Sequence, residues 1–177
     1  MAIPRLETPR LLLRGPRLSD AGAIFTGYAA DPEVTRHLSW PRHERLEQTR
    51  SFLQTILERR RQDPERWPWV LVRREDKALL GMVELRRRGT RGEVGYVLRR
   101  RDWGRGYMTE ALQAVLQWGF ASPDLWRVQA QCHPANRASA RVLEKVGMRR
   151  EGRLRRYIVF PALGPEPLDV LLYAKVR

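Results

Sequence analysis

Gly104-Arg105-Gly106 stands between an apolar run suited to a strand and a long periodic helix, where small residues let backbone N–H groups approach an anion. The same glycines also serve a plain strand-to-helix turn, and the triplet alone does not choose between the two. Two common nucleotide chemistries are disfavoured. No Gly-x-x-x-x-Gly-Lys-Ser/Thr is present, and the third glycine of the dinucleotide fingerprint falls on Thr109, which argues against ATP and NAD. Farther on, Asn136 and Ser139 place an amide and a hydroxyl on one face of a helix start. They read either as a helix cap with a solvated serine or as polar groups aimed into a cleft.

These residues need elements to hold them, and hydrophobic periodicity supplies the elements. Residues 10–14 predict a strand, and Ser19 or Asp20 caps a helix with Ala21, Ile24, Phe25 and Tyr28 on one face, stopped at Asp31-Pro32. A second helix is predicted over 44–61, with Leu46, Thr49, Leu53, Ile56 and Leu57 at helical spacing. Strands are expected at 67–73, 79–85 and 93–98 as an antiparallel meander. After the glycine triplet, Met108, Ala111, Leu112, Val115, Leu116 and Phe120 mark the clearest helix in the chain. A strand at 127–132, a helix from Asn136 ending at Gly147, and strands at 148–157 and 168–176 complete an α+β pattern. No internal repeat is visible, and a single domain over 1–177 is expected.

Composition narrows the function classes. With 42% hydrophobic residues, six Trp, five Tyr and four Phe, the chain can bury a core and is not a disordered type. Its longest uncharged stretch, 111–123, is too short to span a bilayer, and no signal-peptide core is seen, so a cytoplasmic protein without membrane association is expected. The single Cys132 excludes an intrachain disulfide, and His37, His43 and His133 show no metal-ligand spacing, so no metal is expected. A formal charge of +14 suits an anionic partner of some kind. Arginine runs at 59–61, 86–88 and 99–101 invite weak RNA or ribosome association, although no aromatic stacking stripe accompanies them.

In order along the chain, Glu93-Val94-Gly95-Tyr96-Val97-Leu98, Trp103-Gly104-Arg105-Gly106-Tyr107-Met108-Thr109-Glu110-Ala111 and Asn136-x-x-Ser139-x-x-Val142-Leu143-Glu144-Lys145-x-Gly147-Met148 resemble the GNAT superfamily of N-acetyltransferases. The resemblance is to its RimJ/RimL-like branch, which acetylates ribosomal proteins, and it extends over nearly the whole chain. It implies a mixed, mostly antiparallel twisted sheet with helices on both faces. It also implies acetyl-CoA as cosubstrate. The backbone amides of Trp103, Gly104, Arg105, Gly106, Tyr107, Met108 and Thr109 would hold the pyrophosphate. The splayed edge of the 93–98 strand, with Val97 and Leu98, would bind the pantetheine arm, and Asn136 would bond that arm. Ser139 would protonate the departing thiolate or bridge water to it. Met108 stands where alanine is common in the branch and is expected to point into the core.

Amide formation requires a neutral amine, so its proton must go to a base or to water. Glu84 and Glu93 are the strand carboxylates nearest the implied site, with Glu84 the candidate base, and each has an ion-paired or solvated alternative reading. His133 is equally suited to a structural role. A weak set of bases fits an α-amine better than a lysine, because their pKa values lie near about 7.7–8.0 and about 10.4. The expected acceptor is the N-terminal amine of a ribosomal protein or other peptide. The alternatives are a free small amine such as an amino acid, polyamine or aminoglycoside, or a basic nucleic-acid-binding module. The branch includes dimers, so a homodimer is also an expectation.

Overall fold

The computed structural model describes residues 3–177. Among these, the strands are β1 (Leu6–Glu7), β2 (Leu11–Arg14), β3 (Arg66–Arg73), β4 (Leu79–Arg88), β5 (Arg91–Leu98), β6 (Arg127–Cys132), β7 (Arg149–Val159) and β8 (Pro167–Val176). They form one sheet in the order β1-β2-β3-β4-β5-β6-β8-β7. Every neighbouring pair is antiparallel except β5 with β6, which is parallel. The meander predicted at 67–98 is β3, β4 and β5.

Helices cover both faces. On one face α4 (Tyr107–Phe120) packs Ala111, Leu112, Val115 and Leu116 against Leu11, Leu13, Trp69, Val83 and Leu85. The shorter α5 (Arg137–Lys145) adds Leu143 to the same core. On the other face α1 (Ala21–Ile24) and α3 (Leu46–Gln62) pack Ile24 and Leu53 against Val70, Val72, Leu79 and Met82. This is period-two alternation in the strands meeting helical stripes, each burying its apolar side.

The predicted first helix is more irregular than its periodicity suggests. Its start is fixed by Asp20, which is buried and accepts two bonds from the Arg14 guanidinium and one from the Arg17 amide. After α1 the chain widens into a π turn over Phe25–Ala29, where the Ala30 amide reaches back to the Phe25 carbonyl. Asp31-Pro32 stops this segment but also starts another helix: the Asp31 carboxylate accepts from the Glu33 amide, and Pro32 opens α2 (Pro32–Thr35). That short helix brings His37 to the sheet, where it meets His133.

Candidate active site

The sheet divides at β5 and β6. Their parallel pairing covers only Arg91 with Arg127, Gly92 with Val128, and Glu93 with Gln129. Beyond Glu93, β5 runs on to Leu98 bonded to β4 alone, and β6 runs on to Cys132 bonded to β8 alone. The sheet therefore opens as a wedge with a bare backbone edge on each wall, one carrying Val97 and Leu98. The β5 wall is held tightly from behind. A Cβ on Gly81 would lie 2.2 Å from the Val97 carbonyl oxygen, so this approach of β4 to β5 requires glycine.

At the end of the β5 wall the chain turns into α4 through residues 99–106. Asp102, only 1% exposed, binds the guanidinium of buried Arg99 and accepts from Arg73 at 3.3 Å. Trp103 folds back to donate its indole N–H to the Leu98 carbonyl at 2.8 Å. Gly104 and Gly106 then take φ of +75° and +77°, a region costly for other residues. Among the described residues, no backbone N–H from Gly104 through Thr109 donates to a protein acceptor, so these donors stand unpaired at the positive end of a 14-residue helix.

The loop is set rigidly from below. Arg10 donates to the Arg105 carbonyl at 3.0 Å and to Glu110 at 2.6 Å, and its guanidinium lies 4.4 Å from the centre of the Tyr107 ring. Glu110 also accepts from the Thr8 hydroxyl and the Arg10 amide. Burial pushes the Glu110 carboxyl up, but these bonds outweigh it and hold the group below the ordinary carboxylate value. The Tyr107 and Met108 side chains are buried in the core, which leaves only their amides available to a ligand.

Ser139 lies at the side of the wedge. Asn136 caps α5 by accepting from the Ser139 amide at 3.1 Å, and its Nδ2 keeps no protein acceptor among the described residues. The Ser139 hydroxyl is not simply solvated. Its Oγ lies 2.8 Å from the Tyr96 hydroxyl, which also reaches the Ser139 carbonyl at 3.2 Å. Burial pushes the Tyr96 phenol well above its ordinary value, despite the opposing bond from Ser139. The Cys132 thiol, at the end of β6, is pushed up to about 11 by burial, again partly offset by Ser139. Tyr96 and Cys132 therefore stay protonated near neutrality. Sequence reading gave Tyr96 no role, although its alternation with Val94 and Leu98 already turned it toward the α4 and α5 face.

Glu84 occupies the opposite face. It follows Met82 by two along β4, so it points toward the side covered by α1 and α3, and it pairs in register with Gly95. Arg66 bonds both of its oxygens, at 3.1 and 3.0 Å. Glu93, on that same face at the fork, binds Arg86 and accepts weakly from Gln129 and Gln131. His133, just past the β6 wall, stacks on His37 with ring centres 4.9 Å apart and meets Phe160 edge-on. Both imidazoles sit below their ordinary pKa. Burial is the main cause, with Arg36 and His133 adding to it at His37, and Arg153 and Arg36 at His133.

Two of the arginine runs are largely committed within the protein. Arg86 pairs with Glu93, Arg87 with Glu65, Arg88 with Asp63, Arg99 with Asp102 and Arg100 with Asp31. Among the described residues, no cluster of three or more His, Cys, Asp or Glu is placed to hold a metal ion, and no helix is long and apolar enough to cross a membrane.

The fold recurs in known proteins. Residues 10–149 match the model of the acetyltransferase (GNAT) domain. The uncharacterized N-acetyltransferase YoaA of Bacillus subtilis is 34% identical over 177 residues, covering 98% of this chain and 97% of its own length. A GNAT-family acetyltransferase from Bacillus anthracis superimposes with a TM-score of 0.84 at 28% identity, covering 98% of each chain. RimL, the ribosomal L7/L12 α-N-protein acetyltransferase solved with coenzyme A, shares the fold with a TM-score of 0.84 at 20% identity over 98% of each chain. A forked sheet with free amides at the head of α4, together with a family match over most of its length, makes this chain a member of the GNAT family of N-acetyltransferases.

Proposed function

We propose that this chain transfers an acetyl group from acetyl-CoA to a primary amine, working as one domain over residues 1–177. The observation that carries the reading is the set of free amides from Gly104 through Thr109 at the head of a wedge flanked by the Ser139 and Tyr96 hydroxyls. A pyrophosphate needs several N–H donors at a helix start, and this loop presents them in a frame already fixed by Arg10, Asp102 and Glu110. The bare β5 edge at Val97 and Leu98 offers a pantetheine arm the backbone partners that β6 no longer provides. The free Nδ2 of Asn136 adds a donor on the other wall. RimL, which shares the fold, was solved with coenzyme A, which supports a coenzyme A cosubstrate here.

Acetyl-CoA supplies a thioester that a neutral amine attacks directly, without a metal. As the C–N bond forms the thioester C–S bond breaks, Ser139 passing its hydroxyl proton to the departing sulfur and regaining one from the water that takes the amine's proton, while the buried Tyr96 phenol holds Ser139 Oγ in place. Glu84 must loosen its two contacts with Arg66 before it can accept a proton. An α-amine, with a pKa near about 7.7–8.0, can lose its proton to water without such a base, which favours a peptide N-terminus or a free amino acid over a lysine side chain.

Two measurements test the reading. Calorimetric titration with acetyl-CoA should show binding that ATP and NAD do not reproduce, and thiol release should require an added amine. Absence of acetyl-CoA binding at millimolar concentration would overturn it.

A further inference from the structure

We infer that the acceptor carries a carboxylate or phosphate near its amine, held at the mouth of the wedge by Arg36, Arg153 and Arg155. The inference rests on the transferase reading above and specifies its second substrate.

The mouth is built from segments distant in sequence. His37 follows α2, His133 follows β6 directly after Cys132, and Phe160 follows β7; the three rings contact one another in series. They lie beside the end of the β6 wall, on the face opposite the Tyr96–Ser139 contact. The charge around them is mostly one sign. Arg36 adjoins His37 in the chain, and Arg153 pairs in register with Leu171, which in turn pairs with Cys132 beside His133; their charge helps lower the imidazoles, with Glu33 opposing at His37.

A second feature lies in β7. The pairing of β7 with β8 shifts register between Leu154 and Ile158, and within that bulge Arg156 takes φ of +45°, uncommon for a residue with a side chain. Asp169 fixes the distortion by accepting from the Arg156 amide at 2.9 Å and from Arg153 Nε at 2.7 Å. Arg153 and Arg155, two residues apart, line with Asp169 an open depression on the surface. Asp169 occupies only Nε of Arg153, so its terminal nitrogens remain available, and Arg36 and Arg155 have no carboxylate at ion-pair distance among the described residues.

Guanidinium groups with free N–H donors match carboxylate and phosphate oxygens. The same positive charge lowers the pKa of an ammonium entering beside it, which helps deliver the neutral amine where Glu84 is occupied by Arg66. A polyamine or aminoglycoside would meet repulsion instead.

The test compares kcat/KM, at saturating acetyl-CoA, for peptides beginning Ser-Asp-Asp, Ser-Gly-Gly and Ser-Lys-Lys and for free aspartate and spermidine. The acidic peptide should exceed the lysine peptide by about tenfold or more, the scale of one charged contact. Free aspartate against the acidic peptide decides whether the anion belongs to a small molecule or to a chain. In the double variant Arg153→Glu/Arg155→Glu the preference should fall or invert through KM, while Arg153→Lys/Arg155→Lys retains most of it. A preference blind to charge, or one favouring spermidine and the lysine peptide, overturns the inference. Acetyl-CoA binding measured on the same samples separates the cases: its absence would instead strike the transferase reading.

Discussion

The Tyr96 hydroxyl meets Ser139 Oγ at 2.8 Å, tying the β5 wall of the wedge to the first turn of α5. A serine hydroxyl at a helix start ordinarily rotates in solvent. Here its oxygen is held by a phenol that burial keeps protonated.

Ser139→Ala should slow the chemical step by about 10²-fold, the low end of general-acid effects, because a thiolate leaves readily. Affinity for acetyl-CoA should stay nearly constant. Single-turnover rates with parallel calorimetry make the comparison. Weaker binding with unchanged turnover would mean that Ser139 serves the cofactor or the helix and not the proton.

Tyr96→Phe keeps the ring and removes only the hydroxyl. We expect about a tenfold loss of kcat at constant acetyl-CoA affinity, since Ser139 keeps its proton but loses its orientation. Combined with Ser139→Ala, the second change should add almost nothing, as expected for groups acting as a unit. Full additivity in that cycle would separate the two residues.

Gly106→Asp places a carboxylate at a position with φ of +77°, against the amides assigned to the pyrophosphate. The rise in Tm with acetyl-CoA should disappear in this variant and persist in the wild type. A retained shift would remove the 104–109 loop from the cofactor site.

Glu110→Gln should destabilise the protein by about 1–2 kcal/mol at pH 7, the scale of bonds to a charged group. Because the folded carboxyl sits below its ordinary value, its contribution is complete above the unfolded pKa of about 4.3 and is lost as pH falls through the lower folded value. Urea melts at pH 7, 5 and 3 should therefore show the gap between wild type and variant closing only in the most acidic series. An equal gap at all three would assign the effect to packing.

RNA affinity should be weak and vanish near 150 mM salt, because Arg86, Arg87, Arg88, Arg99 and Arg100 already face carboxylates. Titration with labelled RNA at that salt checks this, and sub-micromolar binding would contradict it.

Elements with an uninterrupted apolar period were the legible ones. The strand predicted at 127–132 is β6, and the helix predicted after Gly106 is α4, because a stripe such as Ala111, Leu112, Val115 and Leu116 fits one geometry only. The two-residue β1 and the π turn after Ile24 had no such signal, being set by tertiary packing more than by local pattern. The candidate site divides in the same way. Its glycines and helix cap carry local signatures, whereas Tyr96 with Ser139, Thr8 with Glu110, and His37 with His133 are long-range pairings that only the folded sheet brings together.

The brevity of the β5 to β6 ladder has a mechanical consequence. Only three positions pair the two half-sheets, and beyond them the gap is crossed by side-chain contacts, Tyr96 to Ser139 on one face and His37 to His133 on the other, besides the core under α4 and α5. Removing one of these contacts should loosen the far ends of β5 and β6 more than the fork itself, as a gradient of amide hydrogen exchange rising from Glu93 toward Leu98 and from Gln129 toward Cys132.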